Sequence, residues 1–168
     1  MMNSDRRRLG ALTVLSFAQL VVLLDGTIVS IALPQTQEQL GMTEYQRQWV
    51  VTAYTLSFGA LLLLGGRVAD YWGRKRAFIT GMLVFAASSA FGGFAVDPNQ
   101  LIAARALQGA SAALLAPAAL ALVSSIFPKG QDRIRAFAIF GAVGGMGFAV
   151  GLIAGGVLTQ IGSWRWCL

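Results

Sequence analysis

The chain has 168 residues, of which 56% are hydrophobic and only 12% are charged, and its formal net charge is +6. A soluble domain carries about 25% charged residues, so the charges of this chain are too few to cover a soluble globule of its size. The composition therefore excludes an ordinary soluble fold and indicates a protein whose surface faces lipid.

Five segments are long and apolar enough to cross a bilayer as helices, which takes about 20 mostly apolar residues. The predicted spans are residues 9–33, 49–66, 77–96, 101–127 and 136–158. These segments do not alternate polar and apolar residues as barrel strands do, so helices are the structure that satisfies their backbone groups in lipid. The sequence therefore predicts an all-α membrane protein with about five transmembrane helices.

The first span follows three arginines, Arg6 to Arg8, as the core of a signal peptide would. Its apolar run is longer than the roughly 7–15 residues of such a core, so we interpret it as a permanent helix. Asp25 lies inside it, where a carboxylate costs about 2.5–3.5 kcal/mol on insertion scales and is usually functional. Asp25 is either a proton or cation site, or a polar contact or salt bridge between helices. Pro34 is predicted to end or kink this helix.

A basic, glycine-bracketed loop is predicted over residues 66–76, between the second and third spans. With five spans, ten Lys and Arg residues fall on the side of this loop and of the N-terminus, whereas two fall on the other side. Short loops rich in Lys and Arg lie in the cytoplasm, so the pattern predicts a cytoplasmic N-terminus. We expect a multi-pass protein of the plasma membrane. Because the basic residues form separate clusters between apolar runs, nucleic-acid binding is not predicted.

Two polar side chains share a face near the start of the fourth span. Arg105 lies at about the depth from which its long side chain can reach Asp25, if the two helices are neighbours. The alternative is that Arg105 snorkels to the outer interface. Gln108 is three residues further along, and two polar groups on one face favour an inward-facing, solvated lining.

The fifth span carries a repeat of glycines at every fourth residue, Gly147, Gly151 and Gly155, with Gly156 beside them. This spacing predicts a helix-packing groove, in which a neighbouring helix approaches closely. The alternative is that so many glycines weaken the helix and allow it to bend. After this span, residues 163–166 are expected to form an interfacial aromatic belt before a sixth helix.

Several kinds of chemistry have no support in the sequence. Cys167 is the sole cysteine and there is no histidine, so an internal disulfide, a His/Cys metal site and a His-dependent triad are excluded. We find no nucleophile motif and no paired carboxylates within a span, which argues against an enzyme. A phosphate-binding glycine loop is also missing from the sequence, so ATP-driven transport is not predicted. The sequence therefore predicts no enzyme, no metal site and no cofactor.

Four segments, taken in order, resemble motifs of the major facilitator superfamily. They are residues 24–34 (LDGTIVSIALP), 66–75 (GRVADYWGRK), 101–109 (LIAARALQG) and 147–156 (GFAVGLIAGG). The first is similar to the first-helix motif of the drug:proton antiporters, especially their 14-helix group, and the last resembles the fifth-helix antiporter motif. The resemblance covers nearly the whole chain and implies most of the N-terminal six-helix bundle of such a transporter.

The resemblance also implies a function, which is transmembrane transport of small molecules by proton-coupled, multidrug-type efflux. Asp25 would help to line the proton and substrate pathway, to which we also assign Gln108 because it shares a face with Arg105. Arg105 would assist proton transfer or hold a neighbouring acid.

The same resemblance implies a cytoplasmic latch between two helix bundles. Asp70 and Arg74 would form it, within the loop that also contains Gly66, Gly73 and Lys75.

The implied partners are the lipid bilayer, a small-molecule substrate, a proton gradient and a second helix bundle that these residues do not include. Residues 1–168 are accordingly expected to be a partial N-terminal transmembrane bundle of a larger transporter. The alternative hypothesis is a truncated, non-transporting remnant, or a small membrane protein that associates with others through helix packing.

Overall fold

The computed structural model describes residues 2–168, with side chains from Arg6 onwards. Over this range the chain forms five long α-helices and one short 3-10 helix. They are α1 (Met2–Leu40), α2 (Glu44–Trp72), α3 (Arg74–Gly93), α4 (Pro98–Ile126), α5 (Gly130–Ile161) and η1 (Trp164–Cys167).

All five long helices expose large apolar side chains. On α2, for example, Leu63 is 85% exposed, and on α5 Ile153 is 70% exposed. Each helix is also long and apolar enough to cross a membrane, which confirms the predicted all-α fold with five spans. Because apolar surface on this scale is a liability in water but matches lipid chains, the fold is that of a multi-pass membrane protein.

The helices extend beyond the predicted spans, most clearly at the end of α1. This helix runs through Pro34 as far as Leu40, so of the two predicted effects of Pro34, an end or a kink, the end is wrong. A proline removes a single backbone donor, and hydroxyl groups nearby help to satisfy a helix in a membrane. Ser30 and Thr36 each donate a hydrogen bond of 2.8 Å to the carbonyl four residues earlier. The helix ends instead at Gly41, whose φ of +60° favours glycine.

Side-chain caps set where α2 and α4 begin, several residues before the predicted apolar spans. Thr43 accepts a hydrogen bond from the backbone N–H of Gln46 at 3.2 Å, and the Gln46 side chain accepts one from the backbone N–H of Thr43 at 3.0 Å. Asp97 accepts hydrogen bonds from two backbone N–H groups in the first turn of α4. These caps satisfy donors that a helix leaves free at its N-terminus.

Helix α4 lies at the centre of the bundle, packed against α2 and α3, while α5 packs against α1. Small residues permit the close contacts. A Cβ atom added to Gly65 of α2 would collide with the backbone carbonyl of Ala113 on α4, and one added to Gly81 of α3 would lie 3.2 Å from Leu115. Helix α1 also touches α4, and this contact brings the polar residues of the first and fourth spans together.

The short helix η1 closes the end of the bundle at which α1 and α3 end. Trp164 is buried and donates a hydrogen bond from its indole nitrogen to Gln39 Oε1 at 3.0 Å. Arg165 donates one to the carbonyl of Gly93, at the end of α3, at 2.7 Å. The expected interfacial belt is therefore wrong for Trp164, which packs inside the protein because its N–H finds a partner there, whereas Trp166 is exposed.

Candidate functional site

The structure brings Asp25, Arg105 and Gln108 together in a closed network. Arg105 Nη1 donates to Asp25 Oδ2 at 2.6 Å and to Gln108 Oε1 at 2.8 Å. Gln108 Nε2 donates in turn to Asp25 Oδ1 at 3.1 Å. Both carboxylate oxygens therefore have a donor from α4, and one of these donors carries the opposite charge.

The network is buried between helices. Asp25 is 4% exposed, Arg105 is 2% exposed and Gln108 is fully buried. Arg105 thus points inward to a counter-ion rather than snorkelling to the interface. The solvated lining expected for Arg105 and Gln108 is not what the structure shows, because Asp25 occupies their donors and neighbouring helices close around them.

A further side chain of this site, Tyr54 on α2, was not predicted from the sequence. The guanidinium carbon of Arg105 lies 4.4 Å from the centroid of the Tyr54 ring, which is cation–π distance. Gly109 makes this approach possible, because a Cβ atom there would collide with the Tyr54 carbonyl and with Ser57 Oγ. The sequence does contain a signal for a close helix contact at this site, which is Gly109, one turn after Arg105. This signal does not identify Tyr54 as the residue in contact.

The predicted loop over residues 66–76 is almost entirely helical, which corrects the placement of Gly66. Helix α2 continues to Trp72, and Gly73, with φ +99°, is the one residue between α2 and α3. Gly66 therefore lies within α2, where an added Cβ atom would make an ordinary contact with Pro117 at 3.8 Å. Helices commonly continue past the hydrocarbon into the headgroup region, so a short apolar run underestimates their length.

Asp70 and Arg74 face each other across this turn. The Arg74 guanidinium lies 3.4 Å from Asp70 Oδ1 and donates a hydrogen bond of 2.9 Å to Ser125 Oγ, at the end of α4. Both charged side chains are exposed, as is Lys75. The turn is thus tied to α4 and leaves charge available at this end of the bundle.

The glycine repeat of α5 packs against α1. A Cβ atom on Gly147 would lie 2.9 Å from the Leu20 carbonyl, and one on Gly155 would lie 3.1 Å from Ile31. One on Gly151 would collide with Thr27 Oγ1. Gly156 does not belong to this groove: no atom of the residues that the structure describes lies within 4 Å of a Cβ placed there, because it faces away from α1.

The groove extends one turn further than predicted, toward the start of α5. A Cβ atom on Gly144 would lie 3.2 Å from side-chain atoms of Gln19 and Leu23.

A cavity of about 930 Å³ lies against α2 and α4. Its walls are mostly apolar, with Phe58 and Leu62 from α2, Pro117 from α4 and Phe140 from α5. Gln19 of α1 adds a polar group, and Arg67 of α2 adds a positive charge. Such a volume accommodates a drug-sized molecule, and a mainly apolar lining with few polar groups is typical of ligand sites.

The comparison with known proteins agrees with this architecture. The family model described as Major Facilitator Superfamily matches residues 15–168. The chain belongs to the major facilitator superfamily. Members of this superfamily are transporters that work in the lipid bilayer on small-molecule substrates.

Similar proteins include several that are named for antibiotics. The puromycin resistance protein pur8 of Streptomyces alboniger is 58% identical over 98% of this chain. The cephamycin export protein CmcT of Amycolatopsis lactamdurans is 45% identical over 92% of the chain, and the lincomycin resistance protein of Streptomyces lincolnensis is 39% identical over 96%. The matches cover 33%, 32% and 33% of these relatives, so the chain spans about a third of their length.

Proposed function

We propose that this chain is the part of a proton-coupled exporter of small molecules that contains its proton-responsive site. The observation that carries the proposal is the buried ion pair between Asp25 and Arg105, which joins α1 to α4. Ionisable residues inside a membrane are costly and usually mark ion pathways or proton relays. Because an ion pair holds its helices together only while both groups are charged, protonation of Asp25 would weaken the tie between α1 and α4.

The nature of the relatives supports export as the direction of transport. One relative is named as an export protein and others as resistance proteins for puromycin and lincomycin. An exporter driven by a proton gradient would take up a proton from outside and release substrate there. We propose this antiport for the present chain and infer transport rather than enzymatic catalysis.

We further propose the cavity beside Phe58 and Pro117 as one wall of the substrate site. Its mainly apolar lining suits the apolar part of an amphipathic organic molecule. Transporters of this type bind substrate between two repeats or halves that rock against each other. The opposite wall would come from a second helix bundle, within the length that the relatives have beyond the matched third.

The cytoplasmic latch and the orientation belong to the same proposal. Ten basic residues lie at the end of the bundle that contains Arg74, and this bias supports a cytoplasmic N-terminus. The membrane that we propose is the plasma membrane. Asp70 and Arg74, both exposed, would pair with charges of the second bundle when the transporter is closed on this side.

The test uses the protein expressed from its complete reading frame in inverted membrane vesicles, with an imposed proton gradient and labelled puromycin as the probe. Asp25→Asn keeps the size of the side chain and its hydrogen-bonding oxygen but removes the titratable charge. We expect gradient-driven puromycin movement to fall to the level of vesicles without the protein.

The matched control is Glu38→Gln, which removes an exposed carboxylate from the same helix. We expect this variant to transport like the wild type. Full transport by Asp25→Asn would exclude Asp25 as the proton site. Absence of transport by the unmodified protein, at normal expression, would instead favour a non-transporting membrane protein that associates by helix packing.

A further inference from the structure

The Arg105 guanidinium has a second partner besides the carboxylate. It lies over the ring of Tyr54, with 4.4 Å between its central carbon and the ring centroid. Within the part of the chain that the structure describes, Arg105 Nε is buried and has no hydrogen-bond partner. The negative face of an aromatic ring beside a guanidinium that is shielded from water compensates part of its positive charge.

The position of the Tyr54 ring is fixed by its surroundings. Gly109, one turn after Arg105, lets the α2 backbone approach so closely that any side chain there would collide with the Tyr54 carbonyl. The ring also stacks on Phe58, with centroids 6.2 Å apart and an interplanar angle of 5°. The contact with Arg105 therefore follows from helix packing and not from a freely rotating side chain.

The contact gains importance when Asp25 is neutral. A protonated carboxyl no longer compensates the Arg105 charge, and an uncompensated cation in a buried site is unstable. The groups that remain beside it are Gln108 Oε1, at 2.8 Å, and the face of the Tyr54 ring. Cation–π attraction is electrostatic and is stronger for a desolvated cation, so the ring still compensates part of the Arg105 charge in that state.

We propose that Tyr54 is a positioning residue that retains the Arg105 guanidinium in place while Asp25 is neutral. Arg105 can then form the ion pair again as soon as Asp25 loses its proton. Since Phe58 stacks on Tyr54 and lines the 930 Å³ cavity, a single aromatic contact connects Tyr54 with the proposed substrate wall. The role in the cycle rests on the proposed function, whereas the seating of Arg105 is measurable without transport.

The test is an NMR measurement on the chain purified in lipid nanodiscs, with arginine labelled by ¹⁵N. The Nε–Hε signal of Arg105 is assigned by its loss in Arg105→Lys. A proton held over an aromatic face is shielded by the ring current, so we expect this signal upfield of those from exposed arginines. Tyr54→Phe retains the ring and should retain the shift, whereas Tyr54→Leu should abolish it.

Asp25→Asn provides a measurement that does not depend on the folding of a Tyr54 variant. It mimics the neutral carboxyl, and we expect the shielded Arg105 signal to persist because Tyr54 is still present. Loss of shielding in Asp25→Asn would overturn the proposal, and so would an unchanged signal in Tyr54→Leu.

A transport measurement separates this proposal from the proposed function. In the vesicle assay, Tyr54→Phe should transport puromycin like the wild type and Tyr54→Leu should not. If Tyr54→Leu transports normally, Tyr54 has no positioning role. An inactive Asp25→Asn would in that case still support the proton site. If Asp25→Asn transports normally, the proton site is wrong, while the NMR result still decides whether Tyr54 holds Arg105.

Discussion

Gln108 links the two charges of the buried site into a triangle, because it accepts from Arg105 and donates to Asp25. A buried ion pair is stable only when its remaining donors and acceptors are also satisfied. A neutral amide supplies this without adding a third charge, so the balance between Asp25 and Arg105 is undisturbed. The amide also remains able to accept from Arg105 when Asp25 is protonated.

Replacing this amide tests how much the triangle stabilises the bundle. Gln108→Leu keeps the volume but leaves Asp25 Oδ1 without its 3.1 Å donor. We expect the free energy of unfolding to fall by about 1–3 kcal/mol, which is the cost of leaving a buried polar group unsatisfied. Thermal unfolding in detergent micelles, followed by circular dichroism, measures the change.

The control for this prediction is Gln131→Leu, because Gln131 is exposed in the first turn of α5. It should unfold at nearly the wild-type temperature. Equal unfolding temperatures for Gln108→Leu and the wild type would mean that the amide contributes nothing to the stability of the pair.

The contact between Asp25 and Arg105 could be predicted from the sequence, but the position of Tyr54 could not. A carboxylate and a guanidinium within spans each need a partner, and few partners exist in lipid. Tyr54 is one of many aromatic residues, and nothing in its own chemistry requires a cation. Its role depends on the close approach of α2 and α4 at Gly109, which is a property of packing.

The contact of α5 with α1 depends on glycines at particular positions of the helix. Gly151 and Gly156 are a matched pair, because a Cβ atom would collide with Thr27 Oγ1 at the first and would meet no described atom of the chain at the second. We expect Gly151→Ala to lower the free energy of unfolding by about 1–3 kcal/mol, as overpacking does.

Gly156→Ala should be neutral or stabilising by about 0.5–1 kcal/mol, since alanine restricts the unfolded chain more than glycine does. Thermal unfolding of both variants in the same detergent measures the difference. The same destabilisation in both would show that it does not come from the contact with α1, and that the groove does not determine how α1 and α5 pack.

The number of helices was predictable from hydropathy, whereas their ends were not. Hydropathy reports the part of a helix that lies in hydrocarbon, and all five such parts were found. The ends lie at the level of the headgroups, where local chemistry decides. Thr43 starts α2 before its apolar run, and Gly41 and Gly73 end α1 and α2 beyond theirs.

The basic residues at one end of the whole bundle predict its orientation. Labelling with a membrane-impermeant maleimide on intact cells tests it, in a protein whose native thiol is removed by Cys167→Ser. Glu38→Cys, at the end of α1, should label from outside, and Lys129→Cys, before α5, should label only after the cells are permeabilised. The reverse pattern would contradict the cytoplasmic N-terminus.

The central claim is that Asp25 moves protons in exchange for substrate. Proteoliposomes containing the protein from its complete reading frame, with a pH-sensitive dye inside, measure this directly when a puromycin gradient is imposed without a pH gradient. We predict that the wild type moves protons against the direction of puromycin flow and that Asp25→Asn moves none. Proton movement by Asp25→Asn at the wild-type rate would contradict the claim.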